Sequence, residues 1–238
     1  MLPSNIFYSK FADCYNEYAA QKSAYLEAVN QFIKDESGSR KEIIDVGSGD
    51  GKRAECIAKM LGTKDVTLVD NSDGMITLCK SLPNITVIES DVSDSNFKLG
   101  QKYEIVLCLW NVLGHIPTNG KRMVAIKNLA DLLKNDGFLF LDVNNRYNFS
   151  HYGFKAVAQN LLKDLLFPSE SNGDFRLSIN TKKERLETKV HVFTKREIEK
   201  LIKSAGLKIV NRQIINYKTG EKSRSHFGGQ LVYKLAKI

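Results

Sequence analysis

The chain has 238 residues, 42% hydrophobic and 26% charged, which suits one globular unit with a sizeable core and excludes a disordered chain. No apolar run reaches the roughly 18 residues of a membrane span, and no basic segment followed by a continuous apolar stretch follows Met1, so a cytoplasmic protein with no membrane partner is expected. The net charge of +8 is unevenly held: residues 1–150 carry 17 Lys and Arg against 19 Asp and Glu, while residues 151–238 carry 18 against 8, a basic last third that suits a solvated surface, an anionic substrate or RNA.

In chain order, apolar and aromatic residues recur every three to four positions from Ile6 through Tyr18 and on through Tyr25, Val29 and Ile33, which predicts one or two amphipathic helices. Ser37-Gly38-Ser39 ends that pattern. Ile43-Ile44-Asp45-Val46 reads as a buried parallel strand, followed at once by a helix over Lys52–Leu61. The cadence repeats: strand 66–69, helix 73–82, strand 85–88, strand 104–109, helix 121–133 and strand 138–143, the alternation of a doubly wound α/β sheet.

After Asn144 the rhythm lapses for about fifty residues, longer than an ordinary connection, so an insertion is expected, with strands near 175–179 and 188–193. Thr194-Lys195-Arg196-Glu197 has the spacing of a capping box and opens a helix closed by Gly206. Strands over 207–215 and 230–235, joined by a polar glycine-bearing loop, predict an antiparallel final pair. Cys14, Cys56, Cys79 and Cys108 are scattered, without clustered histidines, which points to no metal and no disulfide framework.

Asp45-Val46-Gly47-Ser48-Gly49-Asp50-Gly51 is a glycine-rich turn leaving a parallel strand, where absent side chains let a ligand approach the backbone. A dinucleotide fingerprint needs glycine where Lys52 stands, and a P-loop needs a hydroxyl where Arg53 stands. Asp45 would repel phosphate yet could accept hydrogen bonds from a cationic ligand. Asp70 ends the second strand, where a carboxylate reaches a ribose diol, and Asp91 lies just past the third, with Val92 offering an amide to a base edge.

These elements resemble the ordered motifs of class I S-adenosylmethionine-dependent methyltransferases, specifically over residues 40–145 and more loosely over 187–238. The resemblance implies a Rossmann-like, seven-stranded, mostly parallel sheet with an antiparallel C-terminal strand, and S-adenosylmethionine as cofactor. It implies that Gly47, Ser48, Gly49 and Gly51 line the methionine end, Asp70 with Asn71 holds the ribose, Met75 packs near the adenine, and Asp91 and Val92 read its edge, with Leu109 at the end of the fourth strand. Residues 1–36 are then a helical lid, 37–147 the cofactor-binding core, 148–193 a substrate-lid insertion and 194–238 a closing helix and strand pair.

Methyl transfer is an in-line displacement, so alignment and exclusion of water carry much of it, and a base is needed only for acceptors that lose a proton. His115, in the segment after the fourth strand, is the candidate base. Asn111, Asn145, Arg146 and Tyr147 at the same sheet edge, with Tyr15 and Tyr18 of the amino end, are the candidate acceptor residues. A small-molecule N- or O-methyltransferase is the preferred reading. RNA methylation, resting on the basic last third, and a non-catalytic cofactor-binding protein are the alternatives.

Overall fold

A computed structural model describes residues 1–83 and 85–238. The chain opens with two helices, α1 (Ser4–Ala20) and α2 (Ser23–Ser37), and the alternation that follows is β1 (Ile43–Val46), α3 (Lys52–Leu61), β2 (Val66–Asp70), α4 (Asp73–Cys79), β3 (Thr86–Glu89) and β4 (Tyr103–Cys108). Then come α5 (Val112–His115), α6 (Asn119–Asp131) and β5 (Leu133–Val143). The insertion holds α7 (Phe149–Tyr152), α8 (Phe154–Leu166), a short 3-10 turn and the hairpin β6 (Asp174–Asn180) and β7 (Arg185–His191); α9 (Lys195–Ser204), β8 (Leu207–Ile215) and β9 (Gln230–Lys237) close the chain.

The seven-stranded sheet runs β3-β2-β1-β4-β5-β9-β8, and β9 is antiparallel to both of its neighbours while the remaining pairs are parallel. The order reverses between β1 and β4, which opens a crevice at the carboxyl ends of those strands, the place where such sheets bind ligands. Both faces are covered, as the unbroken apolar strands require. Ile44, Val106 and Leu139 pack with α6 and α9 on one face, and Ile43, Ile105 and Phe140 pack with α2 and α3 on the other.

Where boundaries differ from the sequence expectation, local chemistry accounts for it. α4 stops at Cys79, three residues short, because Pro83 disfavours helical backbone at Leu82. β5 begins at Leu133 because the chain pairs briefly with Tyr103, slips register, and pairs again from Phe138. Gly137 sits in that slip with room for nothing larger: a Cβ there would lie 2.9 Å from Tyr103 O and 3.0 Å from Glu104 O. The expected capping box is present at α9, Thr194 Oγ1 accepting from Glu197 N and a Glu197 carboxylate oxygen accepting from Thr194 N. Helices α7 and α8 were not anticipated. Among the described residues no helix is long and apolar enough to cross a membrane.

Candidate active site

The glycine turn after β1 is tied to β2 by Gly47 and Ser48 amides that both donate to Val69 O. Asp70 completes the link: Oδ2 accepts from Gly49 N at 2.9 Å and Oδ1 from Ser72 N at 3.0 Å. Burial pushes Asp70 up to about 6, against the pull of those amides. Gly47 and Gly49 take φ of +75° and +57°, and a Cβ would meet Val112 at 2.5 Å and the Tyr15 hydroxyl at 2.6 Å. Glycine is therefore required twice, for dihedral and for space.

Beyond β4, Trp110 and Asn111 adopt left-handed backbone, φ 59° and 64°, although neither is glycine. The strain is held by Asp142, whose Oδ1 accepts from Asn111 N at 3.0 Å, and by the Asn111 side chain, which donates to His191 O and accepts from Asn144 N. This turn launches α5 and sets Val112 against Gly47 and His115 toward the crevice.

The crevice is a cavity of about 620 Å³. Of the residues named from sequence for the cofactor, Gly47, Gly49, Asp70, Asn71, Met75, Asp91, Val92 and Leu109 line it, and so do His115 and Tyr15. Asp45, Ser48 and Gly51 lie behind its wall. Ser48 Oγ faces Cys79 Sγ at 3.7 Å, and the space beside Gly51 Cα is taken by Leu68 and Leu82. Asp45 is buried with Oδ1 sealed and without a donor, and burial raises it to about 7.

The acceptor assignments need correction. Tyr18 does not line the cavity; it stacks on Trp110 with ring centroids 5.8 Å apart. Asn111 is the turn-holder just described. Asn145 Nδ2 donates to His226 O and Gly229 O, pinning the β8–β9 loop. Arg146, buried, donates from Nη1 to both Asp164 oxygens (3.0 and 2.9 Å) and from Nη2 to Glu197 at 2.9 Å, and Tyr147 Oη also donates to Asp164. These side chains tie the insertion to α9, because a guanidinium this deep stays only where carboxylates neutralise it.

His115 Nε2 stands 3.0 Å from Tyr8 Oη, Nδ1 is sealed without a partner, and burial lowers the imidazole to about 4. Tyr8 belongs to α1, which crosses the crevice. Gly74 lets that helix sit close, since a Cβ there would lie 2.6 Å from Ser9 O, and Ser9 Oγ accepts from Gly74 N. Leu2 N donates to Glu187 O and Thr188 Oγ1 to Leu2 O, which brings β7 to the same rim. Tyr8, Ser90, Ser93, Lys121, Thr188 and Lys189 thus line the cavity without having been assigned from sequence. Cys79 is pushed up to about 12 and Cys108 is also raised well above the ordinary thiol value, both by burial, as inert core thiols. Among the described residues no cluster of three or more His, Cys, Asp or Glu is placed to hold a metal ion.

Residues 43–137, which supply most of this wall, match the family model described as a methyltransferase domain. The match spans less than half of the chain, and over those residues the chain is similar to methyltransferase domains. It is 32% identical over 130 residues to a ubiquinone biosynthesis O-methyltransferase of Coxiella burnetii, covering 53% of this chain and 53% of that one. Over 127 residues it is 25% identical to a dTDP-3-amino-3,4,6-trideoxy-alpha-D-glucopyranose N,N-dimethyltransferase of Streptomyces venezuelae, 53% of this chain and 50% of the relative. The chain spans about half the length of the curated relatives it matches. A crystal structure of an S-adenosylmethionine-dependent methyltransferase from Clostridium acetobutylicum superimposes with a TM-score of 0.64 at 16% identity, over 94% of this chain and 99% of that one. The methyltransferase fold therefore extends through the helical amino end, the insertion and the closing strands.

Proposed function

We propose that this chain transfers the methyl group of S-adenosylmethionine to a nitrogen or oxygen of a small molecule. One observation carries the proposal: Asp70, at the end of β2, and Asp91, just past β3, share one cavity with Gly47, Gly49 and His115. The residues suit the donor. Asp70, with both oxygens already fixed by amides, keeps acceptor lone pairs for a ribose diol. Met75 and Leu109 offer apolar surface to an adenine, and Asp91 and Val92 stand at its edge. The unpartnered Asp45 oxygen just behind the loop attracts a cationic head.

When bound, the donor would supply an electrophilic methyl carbon to the acceptor's lone pair, with its sulfur as the leaving group. The protein contributes alignment and a dry site, with α1 (part of a lid over residues 1–36) and β7 closing the mouth over the core of residues 37–147. His115, unprotonated near neutral pH because burial holds it at about 4, takes the acceptor proton, passed through the Tyr8 hydroxyl that bridges Nε2 to the cavity. The insertion 148–193 shapes the acceptor side through Thr188 and Lys189, and residues 194–238 brace it through Glu197. The reading carries a cytoplasmic address, supported by four cysteines that are all unpaired.

The test is incubation with radiolabelled methyl donor and fractionated cell extract, expecting label in low-molecular-weight acceptors with release of S-adenosylhomocysteine. Label entering RNA would overturn the acceptor class, and donor binding without turnover would overturn the activity. Tyr8→Phe should slow turnover with donor binding intact; unchanged rates would remove Tyr8 from the proton path.

A further inference from the structure

α8 is amphipathic with its apolar side turned outward. Its inner positions are Val157, buried, and Asp164, which accepts from Arg146 and Tyr147. Phe154, Leu161, Leu162, Leu165 and Leu166 are 82%, 38%, 57%, 78% and 57% exposed, and Phe167, just past the helix, is 71% exposed. At about 3.6 residues per turn these five helical positions fall within an arc of about 140°. Single exposed apolar residues are ordinary, but a continuous stripe of this kind marks a surface that something covers.

The charges in and beside the stripe select the occupant. Lys155 stands within this arc, between Leu162 and Leu166, and Lys163 just beyond its edge, both exposed, while the helix's one acid, Asp164, is turned inward to Arg146. Two copies packed through this face would set lysines near lysines with no acid on the helix to answer them. The positive surplus extends beyond α8, since residues 151–238 carry 18 basic against 8 acidic residues. An apolar stripe with one lysine inside it and one beside it matches the boundary of an anionic lipid layer, where leucine and phenylalanine enter the acyl region and lysine stems reach up to the headgroups.

We propose that α8 is a peripheral membrane-docking helix with preference for anionic lipid. No spanning segment is needed for such contact. It revises the expectation of no membrane partner, which rested only on the lack of an apolar run long enough to span, and it is independent of the methyl-transfer reading.

Co-sedimentation of the full chain with vesicles of equal parts phosphatidylglycerol and phosphatidylcholine, against phosphatidylcholine alone, tests it. Binding to the anionic vesicles is expected, falling as salt rises. Leu162→Asp with Leu166→Asp should abolish it at unchanged circular dichroism and Tm, because neither side chain is in the core. Lys155→Glu with Lys163→Glu should cut anionic binding by about tenfold or more, at roughly a few-fold to tenfold per lysine lost. No binding to anionic vesicles at low salt would overturn the proposal, as would binding indifferent to both double variants. Sedimentation showing a dimer that Leu162→Asp with Leu166→Asp splits would equally overturn it, by giving the face to a second copy.

Discussion

Asp45→Asn removes a charge that the fold holds without a donor. Burial, with Asp70, Asp142 and Asp50 adding to it and Arg53 opposing, lifts this carboxyl from an ordinary 3.8 to about 7. Between those values the native state keeps a proton that the unfolded chain has released, so stability falls as pH rises through the window and the full penalty applies above it. At about 1.36 kcal/mol per pH unit the rise caps the cost at about 4 kcal/mol. Arg53, whose Nη2 stands 3.7 Å from Asp142 Oδ2, offsets part of that cost by its charge, so we expect a gain of about 1–2 kcal/mol from the variant near pH 8. For a domain of this size that raises Tm by roughly 2–6 °C. Toward pH 5 the difference should narrow, and it closes only below about pH 4, where both states keep the proton. Differential scanning calorimetry from about pH 5 to pH 8 checks it, and a variant that is less stable near pH 8, or a difference that ignores pH, refutes the reasoning. The same substitution should weaken S-adenosylmethionine binding, measured by titration calorimetry, if Asp45 answers the donor's cationic head.

His115→Gln carries the opposite sign: burial depresses the imidazole to about 4, so the unfolded chain binds the extra proton between about 4 and 6.5, and wild-type stability should fall as pH drops through that window while the variant's does not. Turnover of the wild type should be level above about pH 5, and an acid limb near pH 6.5 would contradict the burial. Arg146→Ala should cost about 3–5 kcal/mol by stranding Asp164 and Glu197; a stable variant with only a raised KM would restore Arg146 as an acceptor ligand. Gly49→Ala, at φ +57° and 2.6 Å from the Tyr15 hydroxyl, should weaken donor binding by about tenfold, and unchanged affinity would mean the loop can yield. Asp70→Ala removes the acceptor of the Gly49 amide and should lower donor affinity further, with intact binding excluding the ribose role.

The linear sequence determined the alternation of strands and helices, the glycine turn and the order of its acids, because each rests on periodicities and backbone needs confined to a few residues. Asp70, Asp91 and His115 were legible since they follow strand ends, and parallel strands present those ends at one edge of the sheet. Which neighbouring side chains turn inward is another matter. Asn145 and Arg146 also follow a strand, yet Arg146 is claimed by Asp164 and Glu197, far along the chain in sequence. Tyr8, Thr188 and Lys189 reach the cavity only because α1 crosses it on Gly74 and the β6–β7 hairpin folds against Leu2. The amphipathic period of α8 was present in sequence, but only the packed structure decided that its polar inner face would be taken by Arg146 and its apolar face left to solvent. Local pattern sets element type, whereas the partner of each face is chosen by long-range packing.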